Sequence, residues 1–394
     1  MKSVIGGNMH TVIVGGGFAG IKAAIELSKK QLGKITLISN EPYFLHHATL
    51  YATATGRSKD ESVISLKEIL TPYTNVRVVH DEITKLDTTR KLVGSAKKSY
   101  KYDELILSLG VVTTYFGIKG MAENSYGIKL LNEVNDFHAK VLDDLKLDSH
   151  KRRHYVIVGA GPSGVELAGA LREYTDWIIT QRRHTKSKVE ISLVEAADRI
   201  LPRSSKTASK KVHHRLEKMN IKVITSHPVE ALSSTHVTIA GEKVPASAVV
   251  WTSGVSNHPF FASHSDLFKL AKNGRVEVNQ YLEALPHVYV IGDNAATPYS
   301  GLAWNALDDA VFVARHLSRK SLGLPLSSRR PTSPPSGIPV GDNWAYVEWH
   351  GVYASGKSGV KLRRWIELQG YKALLPAKKA RAAWKAHYIH EDRI

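Results

Sequence analysis

The chain has 394 residues, with 54 Lys and Arg against 36 Asp and Glu and a formal net charge of +18. That length exceeds one ordinary hydrophobic core and suits two nucleotide-sized domains with a tail. Cysteine is absent, which excludes a redox disulfide, a thiolate nucleophile, a cysteine-ligated metal and an iron–sulfur cluster in this chain. No metal centre is expected. No apolar run approaches the ~18 residues of a spanning helix, so no transmembrane segment is predicted. The first stretch, Met1 to Gly20, leads straight into a glycine motif and does not read as a secretory signal; residues 1–8 read as dispensable. So basic a chain is attracted to polyanions, either nucleic acid or an anionic membrane surface.

In chain order, Thr11–Val14 is a β-branched run that reads as a buried strand. Gly15 to Gly20 form a glycine turn, Ile21–Lys30 a helix and Ile35–Ile38 the next strand, together one βαβ unit. Strand-like runs follow at Val76–His80, Lys91–Val93 and Leu105–Leu109. The opening pattern then recurs: strand His154–Val158, glycine turn Gly159–Gly164, helix Val165–Tyr174 and strand Val189–Val194, ended by Glu195. This is an internal repeat at domain scale. Further strands are expected at Ile221–Thr225, Val237–Ile239, Ala248–Ser253 and Val288–Ile291, and a helix at Ala303–Leu317. Residues 321–341 are rich in Ser, Pro and Gly and read as a linker or irregular loop, before a basic, Trp- and Tyr-bearing tail.

Each glycine turn has the Gly-x-Gly-x-x-Gly spacing: Gly15, Gly17 and Gly20, then Gly159, Gly161 and Gly164. The first glycine permits the tight turn, the second lets backbone approach a pyrophosphate, and the third lets the helix pack against the strand. The pyrophosphate then meets the helix N-terminus, where free N–H groups and the dipole favour an anion. That places Phe18 and Ala19 at one site and Pro162 and Ser163 at the other. After the second strand of the repeat, Glu195 is placed to bond a ribose 2′-hydroxyl and repel a 2′-phosphate, which favours NADH over NADPH. Arg199 and Arg203 lie nearby and could serve a phosphate. The equivalent place in the first unit holds Ser39, then Asn40 and Glu41; Glu41 either reaches a ribose or is a solvated loop acid.

With these motifs the chain resembles the two-dinucleotide flavoprotein oxidoreductases, and within them the type II NADH:quinone oxidoreductases, over residues 9–320. Tyr102–Gly110, Leu109–Gly120, Gly159–Ala168, Val249–Val255 and Ile291–Ala295 carry the resemblance in that order. It implies an α/β protein with two Rossmann-like dinucleotide-binding domains, the FAD domain (1–118 and 257–330) interrupted by an inserted NADH domain (119–256). Residues 331–394 then form a linker and a membrane-association region. It implies that Asp293 holds the ribityl chain of FAD, with Gly110 and Ala303 beside it, and that Ser253 and Gly254 close the NADH site. A hydride would pass from NADH to the flavin, and two electrons from the flavin to a quinone, without proton pumping. Disulfide reductases and sulfide oxidoreductases need reactive cysteines, which this chain lacks.

Three positions bear on the chemistry. Glu166 follows the second glycine turn and is either a contact to the nicotinamide ribose or a first-turn acid favoured by the helix dipole. Where the family carries Ala-Gln-x-Ala-x-Gln, this chain has Ala303-Trp304-Asn305-Ala306-Leu307-Asp308. Trp304 could stack on a quinone, and Asn305 or a protonated Asp308 could bond its carbonyl; alternatively these are packing positions of a helix. The two replaced glutamines leave open an NADH oxidase, or an NADH-dependent reductase of a soluble carrier protein. His47 and Ala48 stand where the family has a lysine and a proline near the flavin, and His47 could stabilise a reduced, anionic flavin.

In the tail, Pro376–Tyr388 reads as a helix with Ala377, Ala380, Trp384 and Tyr388 on one face and Lys378, Lys379 and Lys385 on the other. That is a basic amphipathic helix suited to an anionic membrane interface. A helix docked on the body, or a homodimer contact, is the other use of such a face. Trp365 and Ile366 offer a second apolar patch beside Arg363 and Arg364. The expected location is therefore peripheral, on the cytoplasmic face where NADH is found. No recognised nucleic-acid motif accompanies the charge, and no nucleic-acid partner is expected.

Overall fold

The computed structural model describes residues 9–148 and 150–392. Residues 1–8, read above as dispensable, lie outside the described residues.

The first βαβ unit consists of β1 (His10–Val14), α1 (Phe18–Lys29) and β2 (Lys34–Ser39). β3 (Val76–His80) and β4 (Glu104–Leu107) extend the same sheet. The repeat follows as β5 (Arg152–Val158), α2 (Pro162–Gln181) and β6 (Lys188–Val194), with β7 (Ile221–Ile224) and β8 (Ala248–Trp251). Then the chain returns: β9 (Glu283–Leu285) and β10 (Val288–Val290) join the first sheet, whose order is β9-β10-β4-β1-β2-β3. Apart from the antiparallel β9–β10 pair this sheet is parallel. The second sheet, in the order β7-β6-β5-β8, is wholly parallel. Parallel strands are covered on both faces, so their runs are continuously apolar, and Val12, Ile13, Leu105 and Ile106 are fully buried. In both sheets the repeat's first strand is central, flanked by its own second strand and by a later one. The C-terminal ends of such strands are where ligands of open α/β sheets bind.

The long helix α3 (Ala303–Ser321) packs against α1 under the first sheet. Beyond it the structure departs from the expected linker. Residues 336–339 are a strand, β11 (Ser336–Pro339), in an antiparallel sheet with β12 (Ala345–Trp349) and β13 (Val352–Gly356). Ile338, Val340 and Tyr346 enter the core of the second sheet. The Pro-rich composition hid this because Pro339 sits at the strand's end, where a missing N–H costs least.

The last two helices, α4 (Lys357–Leu374) and α5 (Ala377–Ala386), also join the body. Tyr371, Leu374, Ala380 and Ala383 are part of the core that includes α1 and α3. The tail helix takes the second of its two expected uses, docking on the body through Ala380, while Ala377 and Tyr388 of the same face remain exposed. Ala380 and Ala383 are buried within the chain, because alanines let α5 approach α4 closely, and Pro376 is the N-cap of α5. Arg363 and Arg364 are buried in ion pairs with Glu367 and do not flank a surface patch. Leu362 and Trp365, in contrast, are exposed on α4. No helix among the described residues is long and apolar enough to cross a membrane.

Candidate functional site

The two glycine turns show why each glycine is there. Gly15 has φ +114°, and a Cβ on it would lie 2.1 Å from the Ser108 carbonyl oxygen; a Cβ on Gly20 would lie 1.9 Å from the Gly15 oxygen. In the second turn Gly159 has φ +103° and its Cβ would lie 2.0 Å from Ser253 Oγ, while that of Gly164 would lie 1.9 Å from the Gly159 oxygen. The middle glycines differ. A Cβ on Gly17 or Gly161 meets nothing within 4 Å. These are also the N-caps of α1 and α2, and neither helix has a side-chain cap. The first-turn N–H groups at Phe18 and Ala19, and at Ser163, thus face open space that suits a pyrophosphate. Pro162 fills the first helical position, where its missing N–H costs nothing.

Glu195 lies just past β6, and its two carboxylate oxygens accept from the backbone N–H groups of Ala160 (2.8 Å) and Ala197 (3.0 Å). The acid is thereby held against the second glycine turn. Arg199 donates to the carbonyl oxygens of Leu201, Pro202 and Ser204, which removes it as a partner for a 2′-phosphate; Arg203 is exposed. At the first turn Ser39 is buried against Gly16 and accepts from the Glu41 N–H at 3.2 Å. The Asn40 carbonyl is engaged by His80 (2.7 Å), and Glu41 is exposed at the rim.

Asp293 sits on a short 3₁₀ turn, Gly292–Asn294, between β10 and α3. Its neighbour Asn294 fixes the chain crossing between the sheets: its side chain accepts from Gly110 N–H (2.9 Å) and donates to the Gly110 oxygen (2.5 Å) and to Asn257 (2.7 Å). These bonds bring Gly110 and Asp293 to one place. Ala303 opens α3 on the same side of that turn.

A cleft of about 580 Å³ runs between the sheets, walled by His47 and Tyr51 from the first and by Ser163, Glu166, Ser253 and Gly254 from the second. Glu166 is half-buried there. Burial raises its pKa to about 8, with Arg363 opposing and Glu367 adding to the rise. His47 is open to the cleft yet surrounded by protein beyond it; desolvation, then Lys129 and His46, push it down to about 3. The shift favours a neutral His47, which weighs against its supplying charge to an anionic ring. The cation of the cleft is Lys129, which sequence reasoning missed. Burial lowers its pKa while Asp293 and Glu133 raise it. A signal was present: Glu133 accepts from the N–H groups of Lys129 and Leu130, a helix-capping pattern that fixes this segment.

The residues of the altered glutamine motif part company on α3. Trp304 is 43% exposed. Asn305 is buried, donating to the Thr332 oxygen at 3.2 Å. Asp308 pairs with Arg329 at 3.0 Å, and the same guanidinium holds the buried Asp309 at 2.9 Å. The Asp308 carboxylate is thus already engaged by a guanidinium, the partner it would have to leave to meet a quinone carbonyl.

Comparison with known proteins follows this geometry. Residues 9–310 match the pyridine nucleotide-disulphide oxidoreductase family. The chain is 30% identical over 344 residues to a type II NADH:quinone oxidoreductase of Mycobacterium tuberculosis, covering 80% of this chain and 73% of that one. It is 29% identical over 301 residues to one of Staphylococcus epidermidis, covering 72% and 74%. Among solved structures, NDH2 of Plasmodium falciparum in complex with NADH superposes with TM-score 0.85 at 17% identity, over 97% of both chains. The sulfide:quinone oxidoreductase of Aquifex aeolicus superposes with TM-score 0.80 at 20% identity, over 95% and 92%. At these identities the structures show a shared fold.

Proposed function

This chain belongs to the pyridine nucleotide-disulphide oxidoreductase family, and from that we propose that it is an FAD-dependent NADH:quinone oxidoreductase that oxidises NADH and does not pump protons. The observation that carries the reading is the pair of open glycine cradles, one at the head of each sheet's first helix and the second opening on the cleft at Ser163, in a chain without cysteine. A disulfide or sulfide outlet needs thiols, whereas the curated relatives are named as quinone reductases.

FAD fits the first cradle, with Gly15, Gly17 and Gly20 around the pyrophosphate, Ser39, Asn40 and Glu41 at the adenosine end, and Gly110, Asp293 and Ala303 toward the ring. NADH fits the second, with Gly159 to Gly164, Glu195 at the ribose, and Ser253 and Gly254 at the mouth of the cleft. FAD, when bound, supplies the hydride acceptor and the two-electron relay. The protein's part is placement and electrostatics: two fixed helix N-termini, a cationic Lys129, and Glu166, whose raised pKa lets it hold a proton near neutral pH. Trp304 is the residue we assign to stack on the quinone, its exposure on α3 leaving a ring face free. Asp308 is better suited to holding Arg329.

The protein is membrane-associated in this reading, lying on the cytoplasmic surface without crossing it. The contact we favour is Leu362 and Trp365 of α4 with the exposed Lys378, Lys379 and Lys385 of α5, rather than the alanine face that α5 keeps inside the fold.

Anaerobic stopped-flow tests the reading. The purified protein should be yellow, bleach on mixing with NADH, and recover colour on mixing with a soluble quinone. Bleaching without a quinone response would transfer the assignment to an oxidase or a carrier-protein reductase, which the replaced glutamines would then explain. Absence of bound flavin would overturn it.

A further inference from the structure

Behind the cleft lies a second, small pocket, about 350 Å³ with its open mouth included, between α2, the β11–β12 loop and α4, walled by Tyr51, Asp342, Arg363, Arg364 and His387. Tyr51 lines both spaces. The chamber opens beside Asp342, whose side chain is 44% exposed and pairs with Arg57. Glu61 does not line it but is fully buried behind its wall residue His387, with Oε2 3.0 Å from His387 Nδ1.

Charged groups face this pair from every side. Arg363, Arg364 and Glu367 come from α4, Arg57 from the loop before Glu61, and Asp342 from the β11–β12 loop. Tyr371 donates to the Glu61 backbone oxygen at 2.6 Å, and His46 stacks on that tyrosine. Burial, then the Glu367 charge, hold the Glu61 carboxyl well above its usual range against the three arginines. Burial pushes His387 down to about 4. Burial thus biases the carboxyl toward its acid and the imidazole toward its neutral form, and such a pair can exchange a proton without leaving a lone buried charge. Glu61 Oε1 and Arg364 Nε are buried without a protein partner. Buried polar atoms of this kind are satisfied by ordered water, and Tyr51 lies close enough to both Glu61 and Glu166 to feel their charges. At the cleft end Glu166 feels Arg363 and Glu367 of the same cluster.

We propose that the Glu61–His387 pair, reached from solvent through the chamber beside Asp342, loads the proton that quinone reduction takes from the medium and passes it by way of Tyr51 and water to Glu166. This rests on the quinone-reductase reading. NADH, quinone and a proton become NAD⁺ and quinol: the hydride brings both electrons and one proton, so the second proton must come from solution. A buried ion cluster is no more stabilising than well-packed apolar side chains, so stability alone does not account for it.

The test uses the FAD-loaded protein and its Glu61→Gln, Glu61→Asp and His387→Gln variants. Infrared spectra at neutral pH, taken without substrate, should show a protonated-carboxyl band that Glu61→Gln removes. In stopped-flow with a pH indicator, NADH-reduced protein mixed with a soluble quinone should take up the proton about tenfold or more slowly in Glu61→Gln and His387→Gln, with Glu61→Asp partly restored. Bleaching by NADH should keep its wild-type rate in all three, which a loss of folding would not allow. A protonated-carboxyl spectrum that Glu61→Gln leaves unchanged, or proton uptake at the wild-type rate in both Glu61→Gln and His387→Gln, overturns the proposal. A wild-type protein that bleaches with NADH but reduces no quinone overturns instead the functional reading beneath it, before any variant is compared.

Discussion

Replacing Gly161 by alanine should separate binding from folding, because its added methyl points only at the space assigned to the NADH pyrophosphate. Gly161 has φ −70°, a conformation alanine adopts without strain, and its Cβ would meet no protein atom within 4 Å. The fold should lose only a few tenths of a kcal/mol, the usual cost of alanine for glycine at an N-cap. A methyl where phosphate oxygens must touch backbone should weaken NADH binding by about tenfold or more, ~1.4 kcal/mol. Gly164→Ala is the contrasting variant. Its Cβ would lie 1.9 Å from the Gly159 carbonyl oxygen, so α2 must move off its strand. Such overpacking costs about 1–3 kcal/mol. The assay is a thermal melt of each variant beside an anaerobic titration with NADH, flavin retained at the first turn reporting an intact domain. Gly161→Ala with wild-type NADH affinity would refute the cradle, and Gly164→Ala with an unchanged melting temperature would refute the close approach.

Glu195→Gln should raise the KM for NADH and narrow the preference over NADPH, since Arg199 is committed to backbone carbonyls; steady-state kinetics with both nucleotides would show an unchanged ratio if Glu195 were uninvolved. Ala380→Leu should destabilise by about 1–3 kcal/mol without strengthening vesicle binding, because that face is packed inside the fold. Trp365→Ala should do the reverse, weakening flotation with vesicles of anionic lipid while the melt stays the same, and equal flotation of the two would exclude this patch. A raised carboxyl pKa favours the folded state while protonated. Stability linked to Glu166 is therefore present below its unfolded value near 4.5 and falls as pH rises toward about 8. Melting temperatures of Glu166→Gln should fall less steeply across that window, and identical slopes would show that Glu166 does not titrate there.

Much of the site was legible because its constraints are local. A glycine turn between strand and helix states its geometry in six consecutive residues; in both turns the first glycine has positive φ, the third lies against backbone, and the middle one faces open space. Glu195 was legible for the same reason, standing at the end of the strand beside its turn. The tail kept two readings in the sequence because the answer depended on what lay opposite. An alanine face with lysines behind it suits a lipid surface or another helix equally well, and in α5 the other helix is α4.

By itself, then, the sequence determined the two βαβ units, their glycine turns and the absence of thiol chemistry, since each depends on periodicity, backbone freedom or composition. Only the tertiary structure decided which distant groups share a space. Lys129 meets Asp293 and His47 in the cleft; Glu61 meets His387, 326 residues away; and Asp308 is taken by Arg329. Charges act through space and burial rather than along the chain, so their pairing and protonation exist only once the sheets, the β11–β13 hairpins and the last two helices have closed around them.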